Sequence, residues 1–266
     1  MPYLSRITIY PVKSLDGHEV DKTTVLPGGA LEYDRRFAIR DAAGNWVNGK
    51  RTDDVHRLRS SFEVASRTLA LRIGDGGNPI CFQIDREMVA LEAWLSGYFG
   101  LAVHLVENDA EGFPDDTLSP GPTAIGAASY EQVAAWFPPL LVDQIRRRFR
   151  ANLEIADAPP FWEDRLIADV GSVVEFQIGE VTFEGVNASA RCVVPSRDTA
   201  TGETYPQFAK VFAQRRRETL PAWAPVSRFD HYYRLAVNTR VAPTTAPRVL
   251  RVGDEVRIVG VQGGTR

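Results

Sequence analysis

Short runs in which hydrophobic and polar residues alternate make up most of the first third of the chain. The run LSRITIYPV (4–12) places Leu4, Ile7 and Ile9 among polar positions, and Pro11 ends it. The stretch SSFEVASRTLALRIGDGGNPICFQI (60–84) continues the pattern, with a glycine-rich cluster as a turn. Many short strands at this spacing predict an antiparallel sheet that closes toward a barrel.

A helix follows, and then a loop that divides the chain. Four hydrophobic residues recur at helical spacing: Met88, Leu91, Leu95 and Phe99. We expect Asp85 to cap this helix, and Gly100 follows its last turn. Residues 109–124 are rich in proline, glycine and aspartate. The sequence therefore predicts a domain boundary there, between an N-terminal domain over 1–115 and a C-terminal domain over 116–266.

The second half of the chain mixes short helices with further strands. Helices are predicted over 129–136, 140–149 and 206–217. Ser129 and Gln132 predict a capping box at the start of the first of these. The run VVEFQIGEVTFEGV (173–186) alternates around Gly179, which is typical of a β-hairpin. The predicted fold class is mainly β with a few helices, in two mostly antiparallel β domains of which the C-terminal one is a β-barrel.

The composition restricts the partners of the protein. The chain has 266 residues, 24% of them charged, and a net charge of −3. No overall field therefore attracts nucleic acid or an anionic membrane surface. No apolar run is long enough to span a bilayer, and no basic segment followed by an apolar stretch begins the chain. We expect a soluble cytoplasmic protein with neither a nucleic-acid nor a membrane partner.

Several common kinds of site are excluded by the residue pattern. Cys81 and Cys192 are the only cysteines, and they build neither a disulfide framework nor a zinc-binding spacing. No glycine motif for a dinucleotide or for ATP phosphates is present, and pyridoxal phosphate is not expected either. Solvation in a loop explains Asp115 and Asp116, and capping explains Ser129.

Cys192 is the better candidate for chemistry of the two cysteines. Cys81 lies in the apolar run PICFQI, which indicates a core position, whereas Cys192 follows Arg191 and precedes Arg197. Cations favour the thiolate, which is the reactive form, and a soft thiolate suits a soft metal centre or a persulfide. Other polar residues stand at element ends from which they could reach one pocket: Lys13, Ser14, Arg35, Arg150 and Asn152. A solvated surface position is the alternative for each arginine, above all for Arg146–Arg148 near a helix end.

Five stretches of the chain, in this order, resemble the MOSC family. They are IYPVKSLDG (9–17), EYDRRFAI (32–39), FRANLEI (149–155), ARCVVPSRDTATGE (190–203) and LRVGDEVRIV (250–259). They run from the first predicted strand to the last. The resemblance is to the branch with an N-terminal β-barrel domain, which includes the mitochondrial amidoxime-reducing component and its bacterial relatives. It implies a C-terminal MOSC β-barrel and a molybdenum cofactor held between two mostly β domains.

The resemblance also implies roles for single residues. Cys192 matches the family cysteine whose thiolate ligates molybdenum, which makes it both the metal ligand and the catalytic residue. The implied cofactor contacts are Lys13, Ser14 and Arg35 from the N-terminal side, Arg150, Asn152 and Arg191 from the C-terminal domain, and Thr123 beside the pterin. Guanidinium and ammonium groups suit a terminal phosphate, and an amide offers a pterin a donor and an acceptor. Ala190 departs from relatives that carry a hydroxyl residue at this position.

The implied activity is the reduction of N-hydroxylated small molecules by oxygen-atom transfer. The sequence holds no cysteine set for an iron–sulfur cluster, so the electrons would come from a separate ferredoxin-like or flavoprotein-like donor. The family is also associated with sulfur transfer. The alternative is therefore a protein that carries a persulfide on Cys192, or one that stores or delivers the cofactor. A binding module without activity is a third possibility.

Overall fold

The protein is described by a computed structural model over residues 1–241 and 248–263. Residues 242–247 and 264–266, which belong to the predicted C-terminal domain, lie outside the described residues. The strands, in chain order, are β1 (Tyr3–Ile9), β2 (His18–Val20), β3 (Lys22–Val25), β4 (Phe37–Asp41), β5 (Leu58–Glu63), β6 (Thr68–Ile73), β7 (Ile80–Gln83), β8 (Val103–Glu107), β9 (Ala124–Gly126), β10 (Leu153–Ala156), β11 (Ser172–Ile178), β12 (Val181–Ala190), β13 (Arg234–Arg240), β14 (Arg248–Arg251) and β15 (Val256–Gly263). The helices are α1 (Asp54–Arg57), α2 (Ile84–Phe99), α3 (Ala127–Trp136), α4 (Val142–Phe149) and α5 (Phe208–Glu218). The predicted mainly β fold class is confirmed.

One large sheet organises the molecule. Its strand order is β15-β11-β12-β13-β9-β10-β1-β2, and every neighbouring pair is antiparallel except β9 with β10. Three small sheets, β14-β3, β4-β8 and β5-β6-β7, complete the described strands. Among the described strands, the two end strands of the large sheet, β15 and β2, do not pair with each other. Tyr3 in β1 nevertheless bridges Glu255 just before β15, and the Leu4 N–H donates to the Asp254 carbonyl at 2.8 Å. The sheet therefore curves toward the predicted barrel without closing it.

The alternating run at residues 173–186 forms the predicted hairpin. Val174, Phe176 and Ile178 are buried on one face of β11. Phe176 lies opposite Phe183 of β12, and their rings stack at 5.5 Å between centroids. Burying such side chains contributes roughly 1.5–3 kcal/mol each to the free energy of unfolding. The hairpin thus supplies the centre of the large sheet's hydrophobic core.

Strand β1 shows why its sequence alternates only loosely. Leu4, Ile7 and Ile9 are all buried, although three positions separate the first two. The pairing of β1 with β10 shifts register between Leu4 and Arg6. Such a bulge adds one residue to a strand and returns the following side chains to the core face.

The large sheet includes strands from both sides of the predicted domain boundary. β1 and β2 precede residue 115, yet β1 pairs with β10 of the second half along four residue pairs. A second hydrophobic core, separate from that of the large sheet, lies among β4 to β8 and α2. A boundary between 1–115 and 116–266 stays a prediction.

Helix α2 confirms the predicted helix but not its predicted cap. The helix begins at Ile84 with Gln83 as its N-cap, and Asp85 lies inside the first turn. The Gln83 N–H donates to the Glu87 carboxylate at 2.7 Å, while Asp85 pairs with Arg67 at 2.9 Å. Gly100 ends the helix at a φ of +66°, the left-handed conformation that glycine adopts without a steric cost.

Two further sequence predictions are wrong. Cys81 is exposed, whereas the sequence predicts a core position. It lies in β7, an edge strand of a three-stranded sheet, where alternation turns Phe82 inward and leaves the thiol outside. Ser129 is not an N-cap, because α3 begins at Ala127. Its buried hydroxyl donates to Glu163 at 2.7 Å and accepts the Phe161 N–H at 2.7 Å.

A buried ion pair lies beside this cluster. The Arg216 guanidinium of α5 donates to Asp164 at 2.5 Å, and both side chains are at most 3% exposed. The same guanidinium lies over the rings of Phe161 and Phe229.

Within the described residues, no helix has the length and apolar character that crossing a membrane requires.

Glu163 is expected to make the stability of the fold fall as the pH rises through neutrality. It is fully buried, and one of its carboxylate oxygens has no hydrogen-bond partner among the described residues. Burial, followed by the nearby charge of Asp164, raises its pKa to about 7. A carboxyl whose pKa is higher in the folded state stabilises the fold while it is protonated. This contribution is present below the unfolded pKa and is lost as the pH rises to about 7.

We therefore expect the free energy of unfolding to fall by on the order of 1–3 kcal/mol between pH 5 and pH 8. Urea denaturation at several pH values measures this slope, and Glu163→Gln should flatten it. Glu131→Gln is the matched control, because Glu131 is exposed on α3. An unchanged slope in Glu163→Gln would contradict the assignment.

Candidate functional site

A cavity of about 1280 Å³ opens between the N-terminal turns and the C-terminal strands. All the residues that the sequence predicts for cofactor binding line it: Lys13, Ser14, Arg35, Thr123, Arg150, Asn152, Arg191 and Cys192. Thirteen arginine and lysine residues line the cavity against nine aspartates and glutamates, although the whole chain carries a net charge of −3. The cavity thus has a local excess of positive charge, which favours an anionic ligand.

Lys13 and Ser14 form a turn after β1. The Lys13 ammonium donates to the carbonyls of Phe113 and Pro114 at 2.9 and 3.5 Å and pairs with Asp115 at 2.8 Å. Ser14 has a φ of +74° and lies at the cavity wall. The sequence analysis explains Asp115 by solvation in a loop alone. The structure corrects this, because the Asp115 carboxylate also has a specific partner in the cavity, the Lys13 ammonium.

Two cations lie close to the ring of Tyr10. The Arg150 guanidinium lies 4.1 Å from its centroid, and the Arg35 guanidinium lies 4.7 Å away. Arg35 is neutralised by Asp34 at 2.5 Å, whereas the Arg150 side chain donates no hydrogen bond to any described residue. Burial lowers the pKa of Arg150, and the Tyr10 ring only partly opposes this. Arg150 is therefore a partly desolvated cation with no counter-ion in the part of the chain that the structure describes.

Asn152 connects the predicted residues of the two halves. It is 2% exposed, and its side-chain carbonyl accepts from Arg35 at 3.2 Å and from the Thr123 N–H at 3.2 Å. Its amide nitrogen donates to the Thr8 carbonyl at 3.0 Å. In this structure Asn152 holds Arg35 and Thr123 in place, and a contact of its amide with a pterin stays a prediction.

Arg191 and Cys192 follow the end of β12. The Arg191 N–H donates to the Tyr233 carbonyl at 3.0 Å, and its guanidinium donates to the Phe149 carbonyl and to Ser189. Its Nε is buried without a partner among the described residues, and burial lowers its pKa. The Cys192 thiol is exposed at the cavity. A free thiol thus adjoins a cation that still has an unused donor.

Three predicted residues have a strained backbone. Ser14, Arg35 and Arg150 have φ values of +74°, +48° and +57°, a region that residues with a Cβ rarely adopt. Each such residue costs of order 1 kcal/mol and persists only where the surroundings impose it, often at functional sites. Nothing in the residue pattern signals these conformations.

Two buried arginines hold the loop that follows Cys192, and sequence reasoning missed both. Arg148 of α4 donates to the carbonyls of Pro195 and Arg197 and to the Asp198 carboxylate at 3.2 Å. Arg59 of β5, in the N-terminal half of the chain, donates to the Thr199 carbonyl at 2.6 Å. The turn after the cysteine, whose purpose the sequence leaves open, is thereby fastened to both halves of the molecule.

The solvated-face alternative is wrong for Arg148, which is 2% exposed. Helical spacing could have revealed it, because Ile145, Arg148 and Phe149 share one buried face of α4. Arg147 is exposed, as that alternative expects. Tyr10 was also missed as a site residue, although it lies in the first of the five matching stretches.

Known proteins resemble the chain over nearly its whole length. Residues 1–144 match the MOSC N-terminal beta barrel domain, and residues 122–257 match the MOSC domain. The molybdenum cofactor sulfurase of Drosophila mojavensis is 25% identical over 242 residues, which cover 80% of this chain and 30% of that protein. The chain therefore spans less than a third of that relative's length.

Two solved structures are also similar to the chain. YiiM from Geobacillus stearothermophilus is 13% identical with a TM-score of 0.32, over 52% of this chain and 54% of that one. A hypothetical protein is 12% identical with a TM-score of 0.39, over 97% of this chain and 68% of that one. The two domain matches together extend from residue 1 to residue 257, and the chain accordingly belongs to the MOSC family, which is associated with the molybdenum cofactor.

Proposed function

We propose that this chain binds a molybdenum cofactor in the described cavity and reduces N-hydroxylated small molecules. The observation that carries the proposal is the exposed thiol of Cys192 in the same cavity as Arg150 and Arg191. Both arginines are partly desolvated cations, and neither has a carboxylate partner within residues 1–241 and 248–263. Lys13 and Arg35, which also line this cavity, would contribute to holding the phosphate together with those two arginines.

The residues of the cavity fit such a group. Its phosphate needs charge-assisted donors, which Arg150 and the unused Nε of Arg191 offer. Its metal needs a soft ligand from the protein, which a thiolate at Cys192 would supply. The arginines that fasten the loop after Cys192 would keep that sulfur in one place, as partners of a metal ligand do.

The overall reaction would consume two electrons and two protons. When bound, the cofactor would supply two-electron oxygen-atom transfer chemistry. The N–O bond of a hydroxylamine or amidoxime breaks, the nitrogen takes one proton to become the amine or amidine, and the hydroxyl oxygen takes the other proton and leaves as water. The electrons would come from a separate redox protein, ferredoxin-like or flavoprotein-like. The cavity is open to solvent protons and to a small substrate beside Cys192.

Metal analysis of chain produced in a cofactor-competent host tests the proposal. We expect molybdenum near one atom per chain and the fluorescence of an oxidised pterin. Arg150→Ala should lower the retained molybdenum by about tenfold, because it removes a charge-assisted donor that no described residue occupies. Arg86→Ala is the matched control, since Arg86 is exposed on α2 and lies outside the cavity lining. Equal retention in the two variants would contradict the proposed place of the cofactor.

A sulfur carrier is the second candidate. The exposed thiol of Cys192 favours it, as does the similarity to a protein named for sulfurase activity. In this role Cys192 would carry a persulfide, and the chain would release sulfur to cyanide without containing molybdenum. Measuring molybdenum and cyanide-releasable sulfur on one preparation separates the two candidates, because only the cofactor-dependent reductase predicts the metal.

A further inference from the structure

The cations of the cavity are neutralised unequally. Arg35 pairs with Asp34 and Lys13 pairs with Asp115, whereas Arg150 and Arg191 have no carboxylate partner among the described residues. Of these four predicted contacts, the two N-terminal cations thus already hold a carboxylate, and the two C-terminal cations do not. A ligand that reaches Lys13 must replace a carboxylate there.

The two carboxylates differ in how firmly they are built in. Asp34 is 10% exposed and also accepts the Tyr10 N–H at 2.8 Å. Asp115 is 72% exposed, lies in the loop between β8 and β9, and has Lys13 as its only ion-pair partner among the described residues. Asp115 is therefore the carboxylate that can leave.

Asp115 remains charged at neutral pH. Surrounding protein atoms raise its pKa, but Lys13, and more weakly Arg35 and Lys50, outweigh this and lower it to about 2. Water reaches the carboxylate because it faces the open cavity, so its replacement does not require a buried charge to be uncovered. The same cations that attract it would attract a phosphate.

We infer that Asp115 is an internal competitor at the ligand site, which must leave Lys13 before an anion can bind there. Every anion at Lys13 then loses the same amount of binding free energy. A small anion such as inorganic phosphate makes few other contacts and becomes a weak ligand. A larger anionic ligand that also reaches Arg150 and Arg191 loses the same amount but keeps a useful affinity. The penalty leaves the ratio of the two affinities unchanged, and it keeps small anions from filling the site at concentrations that would otherwise do so.

The neighbouring contacts allow this exchange with little rearrangement. Lys13 keeps the carbonyls of Phe113 and Pro114 when the carboxylate leaves, so its ammonium stays in position. Phe113 is anchored by its N–H bond to the Arg35 carbonyl at 2.8 Å and by the Trp46 ring at 5.0 Å. Only the Asp115 side chain has to turn away.

Calorimetric titration of the full chain without cofactor, with inorganic phosphate as the probe, tests the inference. Asp115→Asn should tighten phosphate binding by about tenfold or more, because an amide competes for Lys13 less strongly than a carboxylate. Asp116→Asn is the matched control. It removes the adjacent charge, but Asp116 contacts Asn238 and not Lys13, so its effect should stay within about threefold.

Lys13→Met in the Asp115→Asn background should abolish the gain. Phosphate binding that is unchanged or weaker in Asp115→Asn would overturn the inference, as would an equal gain in Asp116→Asn. Unaltered melting temperatures would show that each variant folds. The larger ligand's identity rests on the proposed function, but phosphate binding does not. A chain that contains no molybdenum would therefore refute the proposed cofactor as the larger ligand. It would leave the effect of Asp115 on phosphate binding unaffected.

Discussion

Cys192→Ala is expected to abolish turnover in chain loaded with the molybdenum cofactor while much of the cofactor is retained. Losing a partner that merely orients a metal ligand costs 10–100-fold in affinity or activity, so losing the ligand should lower the rate by at least about 100-fold. Retention should suffer less, because the predicted phosphate contacts, Lys13 and Arg35, are other residues of the cavity that the substitution leaves in place. Benzamidoxime reduction with an artificial electron donor measures the rate, and molybdenum per chain measures the retention.

Cys81→Ala is the matched control for this experiment. Both cysteines are exposed, but Cys81 lies in β7 and outside the cavity lining. Its replacement should leave the rate unchanged. Substantial benzamidoxime reduction by loaded Cys192→Ala would end the assignment of a catalytic thiolate. Loss of the rate in both variants would instead point to a general effect of removing thiols.

Arg216→Ala is expected to lower the free energy of unfolding by about 3–5 kcal/mol, the usual cost of leaving one member of a buried ion pair behind. Asp164 would remain buried without its counter-ion, and the rings of Phe161 and Phe229 would lose the group packed against them. Such a loss is a large share of the stability of an ordinary domain. Urea denaturation followed by tryptophan fluorescence measures it.

Arg215→Ala is the control, one position earlier in α5. Arg215 is 56% exposed and pairs with Glu218 at the surface, so its loss should cost less than about 1 kcal/mol. A double variant, Arg216→Met with Asp164→Leu, should recover most of the stability, because no unpaired charge stays buried. A cost below 1 kcal/mol for Arg216→Ala would show that water reaches Asp164.

Periodicity in the sequence predicted most of the regular elements. The hairpin around Gly179 and the helix before Gly100 are present with nearly the predicted limits. These elements depend on contacts between residues close in the chain, which a hydrophobic pattern records directly. The caps predicted at Asp85 and Ser129 are wrong because these side chains contact residues that are distant in the sequence, which a local pattern does not record. Distant partners, Arg67 and Glu163, hold those two side chains.

The composition of the site was largely predictable, but its geometry was not. The matching stretches contain all the predicted residues except Thr123, and the structure lines one cavity with the whole set. The positive φ values of Ser14 and Arg35 have no counterpart in the pattern, because any residue type can be forced there by its surroundings. The role of Arg59, which holds the loop at Thr199, also depends on a fold that brings distant segments together.

The sequence by itself determined the mainly β class, the family motifs, and the presence of one thiol among basic residues. The tertiary structure alone decided which cations are buried and which of them have a carboxylate partner. In the run QRRR of α5 the exposed Arg215 and the buried Arg216 are chemically identical neighbours, and only packing distinguishes them. Phe113 lies 100 positions after Lys13 in the sequence, yet its carbonyl accepts a hydrogen bond from the Lys13 ammonium. The same fold brings in Asp115, whose carboxylate neutralises Lys13. Charge pairing follows distance in space, and the sheet that joins both halves of the chain sets those distances.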